Sequence, residues 1–268
     1  SSVQKVFEFF FEKIINKIQK KNYSRNIVYS GGCALNSSAN KFLTDKNNSF
    51  KDIFINCAPG DNGGALGAAF VVAADYNLNL TNIKSPYLGK NFNENQIKGI
   101  LENEYYKNKL SYDFLKSDDE LYNSASKYIA GGKVIGWFQE KMEFGPRALG
   151  NRSILADPRN PNMKDIINKK IKRRESFRPF APSVLEEDVS TQFDLHSKSP
   201  YMLLVAPIKE ELRLEMTEEQ RKLFGIEKLN IPRSTIPAIT HVDYSARVQT
   251  VRERTNPRYY KLIKAFKQ

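Results

Sequence analysis

Ile53-Phe54-Ile55-Asn56-Cys57-Ala58-Pro59-Gly60-Asp61-Asn62-Gly63-Gly64-Ala65-Leu66-Gly67-Ala68 is the stretch whose reading decides the fold class. Three apolar residues that favour extended backbone run into a Pro-Gly break, and small residues from Ala65 to Asp75 then continue at helical length. The same unit occurs upstream. Ile27-Val28-Tyr29 ends at Ser30-Gly31-Gly32 and gives way to a helical stretch from about Ala34 to Leu43. Two consecutive strand–loop–helix units predict an α/β fold, with the loops after the strand C-termini forming a ligand crevice.

Working outward, Val3 to Ile18 is apolar but interrupted by Gln4, Lys5, Glu8, Glu12, Lys13, Asn16 and Lys17, which predicts an amphipathic helix. No apolar run reaches the roughly 18 residues needed to cross a bilayer, and no small-residue cleavage site follows. A cytoplasmic protein is expected. The first methionine is Met142, and the chain opens within one predicted helix and ends on another, Pro257 to Lys267, so it reads as a fragment of something longer.

Residues 77–92 have linker composition, 93–130 read as two polar helices, and a new fold is expected from about Gly131. There Lys133 to Phe138 reads as a buried strand and Ile154-Leu155-Ala156 as a short one. Met163, Ile166, Ile167 and Ile171 fall at helical spacing, residues 209–228 form a charged insertion, and Ser245 to Val251 alternates like a strand. The 268 residues are enough for two compact domains. With 42 Lys and Arg against 30 Asp and Glu, the charge of +12 attracts anions, whether nucleic acid, anionic lipid or small phosphorylated metabolites. Cys33 and Cys57 form no C-x-x-C pair and are expected as small buried residues.

Five motifs could carry chemistry. Gly31-Gly32, with Asn36 beyond it, lets backbone approach a phosphate at a helix N-terminus, or is simply a tight turn. Gly60 to Gly64 sets Asp61 among glycines, as a metal ligand beside nucleotide phosphates or as a helix cap. Gly145-Pro146-Arg147-Ala148-Leu149-Gly150-Asn151-Arg152-Ser153 approaches a phosphate-binding P-loop but lacks its lysine; what remains is a glycine-bracketed turn whose Arg147 and Arg152 suit a small planar anion. Lys172-Arg173-Arg174-Glu175-Ser176-Phe177-Arg178-Pro179-Phe180-Ala181-Pro182 joins cations to a packed Pro-Phe-Ala-Pro segment, which would fix where Arg178 points; the plain reading is a basic helix end. His241 and Asp243 lie near Arg247, but a lone histidine is more often hydrogen-bonded structure than a catalyst.

Together these motifs resemble the O-carbamoyltransferase family of nodulation-factor, cephamycin and tobramycin biosynthesis, and the eleven-residue run from Glu143 to Ser153 is the most specific part of the match. The resemblance implies the closing part of an actin/hexokinase-like ATPase domain over residues 1–86, a connecting segment over 87–130, and a YrdC-like α/β domain over 131–268. It implies that carbamoyl phosphate and ATP are joined as carbamoyl adenylate with release of pyrophosphate. The carbamoyl group would then pass to a hydroxyl of a sugar or similar acceptor beside a divalent metal, iron or magnesium. Arg147, Lys172, Arg178 and Arg247 would grip carbamoyl phosphate or the nucleotide phosphates. Gly31, Gly32, Asn36, Gly63, Gly64, Arg152 and Arg174 would complete the nucleotide site, and Asp61 would be one metal ligand. Further metal ligands would come from an N-terminal half of the same protein. That half is the expected partner, a homodimer is left open, and no membrane is involved. The family commonly has Gly where this chain has Tyr244. The competing readings are an RNA-binding or tRNA-modification-related protein, for which no aromatic-rich RNA motif is present, and a scaffold that binds neither ligand.

Overall fold

The computed structural model describes residues 2–44, 50–78, 85–107, 109–225 and 227–268. The linker read over 77–92, the helices read over 93–130 and the insertion read over 209–228 each fall partly outside these ranges.

The first half is a small layered unit. Helix α1 (Ser2–Lys21) places Phe11 and Ile15 against Ala39 and Leu43 of α2 (Ser37–Thr44), with Ile27 and Ile53 packed on the same cluster. Strands β1 (Asn26–Tyr29) and β2 (Asp52–Ile55) pair in parallel, Val28 opposite Phe54. Because side chains alternate across a strand, Ile27, Tyr29, Ile53 and Ile55 turn toward the helices while Val28 and Phe54 face out. Helix α3 (Asp61–Asp75) follows β2 and buries none of its residues, although it carries Phe70, Val71 and Val72. The two expected strand–loop–helix units are present. A 3-10 turn (Gly32–Leu35) precedes α2 and exposes Cys33, which corrects the expectation that it is buried; Cys57 is buried.

Helix α4 (Glu94–Leu101) opens with a capping box from Asn93 and Gln96, and the single turn α5 (Glu104–Lys107) follows. Helix α6 (Asp118–Ala130) is polar in composition, yet it buries Tyr122 and Ala125 in one core with Trp137, Val251, Tyr259 and Leu262, and buries Ile129 as well. It therefore packs as part of the second half, against the terminal helix.

Strands β3 (Ile135–Phe138) and β4 (Arg152–Leu155) form an antiparallel pair, joined by the glycine-bracketed loop. Helix α7 (Met163–Ile166) continues into a π-helical turn (Ile167–Lys172) that ends at Arg173 in the left-handed region, φ 48°. Strand β5 (Ser183–Leu185), helix α8 (Val189–Gln192), strand β6 (Leu204–Pro207), helix α9 (Glu218–Lys222), strand β7 (Ser245–Val251) and helix α10 (Pro257–Lys267) complete the chain. The three strands order β5-β7-β6, with β5 parallel and β6 antiparallel to the central β7. Phe193, Leu204, Ile208, Ala246 and Val248 form the core on one side of that sheet.

The halves touch. Helix α2 packs on β6, and the fully buried Asn40 donates from Nδ2 to the carbonyls of Ala34 and Leu203. Gly145 lies so near the Cys57 carbonyl that an added Cβ would stand 2.6 Å from that oxygen. Only glycine fits there, and its φ of 126° is a second reason.

Candidate anion and nucleotide site

Between the β5-β7-β6 sheet, the π-helical turn and α10 lies a cavity of about 540 Å3. Arg147, Lys172, Arg174 and Arg247 line its cationic part, while Met163, Ile167, Ile239, Leu262 and Phe266 are among its apolar lining. A small anion and a flat apolar group could thus be held side by side.

Each cation has an identifiable mount. Arg147 stands in the β3–β4 loop, whose ends are clasped by Glu143. That buried carboxylate (7% exposed) accepts from the backbone N–H groups of Leu149 at 2.7 Å, Asn151 at 2.9 Å and Arg152 at 3.2 Å. Gly150, at φ 109°, lies against the Tyr259 ring, where a Cβ would come within 2.3 Å of it. Arg174 donates from Nε to Oδ1 of the fully buried Asn168 at 2.6 Å, and its guanidinium lies over the Phe180 ring at 5.0 Å. Asn168 belongs to the π-helical turn, and its Nδ2 also donates to the carbonyls of Ser176 and Arg178. This wide turn thereby holds Arg174 and carries Lys172, which lies exposed at the cavity wall; π-turns of this kind are frequent at functional sites. Arg247 comes from β7.

The cations are not neutralised by one another's partners. Among the described residues, Nε of Arg147 and Nε of Arg247 are buried with no hydrogen-bond acceptor. Burial holds the Arg147 guanidinium below its ordinary range, and Arg247 is pushed down to about 10, first by burial and then by repulsion from Arg147 and Arg174. The acids on the cavity wall are committed elsewhere: Asp157 forms a two-pronged pair with Arg159, and Asp188 pairs with Lys267. Arginines that line a cavity and have no acid committed to them there are what an incoming phosphate or carboxylate pairs with.

Arg178 stands outside this group. Its side chain is 53% exposed and its Nε pairs with Glu175 at 2.9 Å, so the packed Pro179-Phe180 segment does not aim it inward. Arg152 is also elsewhere. It donates to the carbonyls of Gln139, Glu140, Lys90 and Asn151 and stacks on Phe138 at 3.5 Å, clasping the 85–92 segment to the β3–β4 loop. His241 is exposed and its Nδ1 lies 3.3 Å from Asp243 in a turn away from the cavity. Tyr244 closes that turn at φ 61°, a conformation glycine adopts without strain.

The first-half candidates form a separate cluster. The Gly31 N–H donates to the Pro59 carbonyl at 2.7 Å, which joins the two glycine loops, and Gly63 packs so closely on Ala58 that a Cβ would lie 2.0 Å from its oxygen. Gly32 and Gly64 have open space where a side chain would be. Asn36 caps α2 through Oδ1 and exchanges hydrogen bonds with Gln4. Asp61 is the exposed first residue of α3. Among the described residues no three His, Cys, Asp or Glu side chains gather as a metal would require, so these residues do not by themselves fit a metal.

A family model described as "Carbamoyltransferase C-terminus" matches residues 126–268, and one described as "Carbamoyltransferase N-terminus" matches residues 1–70. The chain belongs to the carbamoyltransferase family. It is 50% identical to an uncharacterised Synechocystis protein over 99% of this chain and 44% of that protein. Identity is 38% to the nodulation protein NolO of Bradyrhizobium diazoefficiens, over 100% of this chain and 45% of the relative. To the 3'-hydroxymethylcephem-O-carbamoyltransferase of Amycolatopsis lactamdurans it is 32%, over 90% of this chain and 39% of the relative. The chain thus spans under half the length of these relatives. Arg147, Lys172, Arg174 and Arg247 all lie in the part matched by the C-terminal carbamoyltransferase model.

Sequence reasoning assigned no role to Asn168, Ser153 or Gln249, all on or beside the cavity wall. Gln249 did leave a trace. It sits two residues from Arg247 on an alternating strand, so the two share a face. For Asn168 no signal existed, because its role depends on a π-turn that spacing does not encode.

Proposed function

We propose that this chain is the part of an ATP-dependent O-carbamoyltransferase that binds carbamoyl phosphate and ATP and forms carbamoyl adenylate. The observation that carries the reading is the convergence on one cavity of Arg147 and Arg247, each with a buried Nε short of an acceptor, together with Lys172 and Arg174. Carbamoyl phosphate is a small dianion, and a triphosphate adds further charge. Fixed cations hold both and offset their mutual repulsion. Atom balance asks for one water: carbamoyl phosphate yields carbamate and phosphate, and a carbamate oxygen then attacks the α-phosphorus of ATP, expelling pyrophosphate. The guanidiniums bind the departing phosphate and take up charge as it develops, and the apolar wall suits the base of the nucleotide.

In this reading the second half is YrdC-like. The first half, with its glycine loops, is the closing part of an actin/hexokinase-like domain in which a sugar-type hydroxyl accepts the carbamoyl group. The open apolar face of α3, Val28 and Phe54 is then covered by further chain of the longer protein, which the greater length of the relatives supports. Asp61 is the one candidate metal ligand here, and no step is assigned to a metal. A second reading, RNA binding, draws on the charge of +12. Arg147, Lys172, Arg174 and Arg247 argue against it, because they converge on a concavity instead of tracking a backbone.

The test is carbamoyl-phosphate-dependent exchange of pyrophosphate into ATP by the full-length protein. Arg147→Ala and Lys172→Ala are each expected to lower it by about 10²–10³-fold. Unchanged exchange in both variants overturns the reading.

A further inference from the structure

Arg147 and Arg247 approach the cavity from different elements, a loop and a strand, and their like charges push those elements apart. Something must hold them. Gln249 is 2% exposed and lies on the Arg247 face of β7, lining the same cavity. Its Nε2 donates to the Leu149 carbonyl at 2.9 Å, two residues beyond Arg147. Its Oε1 accepts from the Ser183 hydroxyl at 2.8 Å, which fixes which end of the amide faces the loop. The same Leu149 carbonyl accepts from the Tyr87 hydroxyl at 2.9 Å from the other side. Residues 147 and 249 are thus linked by a covalent path broken by one hydrogen bond.

We infer that Gln249 is a positioning residue for the anion site: it ties the Arg147 loop to the strand carrying Arg247 and sets the separation of the two guanidiniums. Being neutral, the amide bridges the loop and strand without supplying an internal counter-anion. A carboxylate in its place would lose the donor, face the Leu149 carbonyl with like charge, and compete with the ligand for both arginines. Gln249 also stands between the large cavity and a smaller one of about 150 Å3. Removing its amide would therefore open the anion site from behind.

The inference rests on the anion-binding reading above, and the test separates the two. Binding of carbamoyl phosphate, and separately of inorganic pyrophosphate, is measured by calorimetry on the full-length protein and on Gln249→Met, which keeps the length of the side chain but not its hydrogen bonds. Wild-type protein that binds neither anion sinks the anion-site reading itself. Wild-type binding with an affinity loss on the order of tenfold or more in Gln249→Met supports the positioning role. Wild-type binding with unchanged affinity in the variant overturns it. In steady-state assays the loss should fall mainly on KM for carbamoyl phosphate, since ligand still reaches the arginines at high concentration. Gln249→Glu should bind more weakly than Gln249→Met, and equal or tighter binding also counts against the inference. If Gln249→Met fails to fold, Ser183→Ala carries the test: it frees the amide to turn and should weaken anion binding, and unchanged binding overturns the role.

Discussion

Arg247 sits within the repulsive field of Arg147, both with a buried Nε that has no acceptor among the described residues, and burial first, then repulsion from Arg147 and Arg174, lower the Arg247 guanidinium to about 10. The fold thus disfavours the charged form that predominates at neutral pH. The sign follows: with its folded value lowered, the charged Arg247 costs stability in full at every pH below about 10, and the cost fades above it. Arg247→Met is expected to stabilise the anion-free protein by about 1 kcal/mol, a rise of a few degrees in Tm. Pyrophosphate should raise the wild-type Tm but not that of the variant. Thermal unfolding in anion-free buffer decides it, and a variant less stable than wild type contradicts the account.

Arg174 and Arg178 are four residues apart, yet only the first lines the cavity. Arg174→Ala should therefore cost about 10²-fold in pyrophosphate exchange. Arg178→Ala, which breaks an exposed pair with Glu175, should cost roughly fivefold at most. Equal losses would show that Arg178 swings inward when ligand binds.

Gly150→Ala would drive a methyl group into the Tyr259 ring on a backbone already at φ 109°. A loss of about 2–4 kcal/mol in unfolding free energy is expected. Gly64→Ala, which meets open space at the start of α3, should change stability by less than about 1 kcal/mol. Denaturant unfolding of the two variants compares them directly.

Asp243 is held below the usual carboxylate range, first by the hydrogen bond with His241 and then by the hydroxyl and N–H of Ser245. A depressed carboxyl contributes stability above its unfolded value, near 3.9, and loses it as pH falls. The Asp243 side chain is 66% exposed, so the contribution is small, under about 1 kcal/mol. Asp243→Asn should flatten the acid limb of a Tm-against-pH curve below pH 4 without changing carbamoyl-phosphate binding. A steeper acid limb would refute it.

Much of the first half was legible from local pattern. Ile27 to Tyr29 and Ile53 to Ile55 each lead into a glycine-containing loop, and the strands lie where the runs lie. The Pro257–Lys267 helix carried its own start signal in Asn256, which caps it, and Pro257. Strands β5 and β6 went unread because three or four residues next to Pro182 and Pro207 are too short to show a period. Helix α6 read as polar since its buried stripe mixes Tyr122 and Ile129 with Ala125 and Ser126. In the site, Arg147, Lys172 and Arg247 were named from residue type and likeness and do share a wall. Arg152 and Arg178 were not distinguishable from them: charge marks a candidate, but only tertiary packing says whether it meets carbonyls, a neighbouring acid or an empty space.

The contact of Gly145 with the Cys57 carbonyl leaves no slack between two peptide groups, one in the loop of Arg147 and one in the loop leading to Asp61. Side chains can absorb a shift by changing rotamer, but bare backbone cannot. Moving either loop toward the other would therefore press backbone on backbone, so the two loops are expected to shift together.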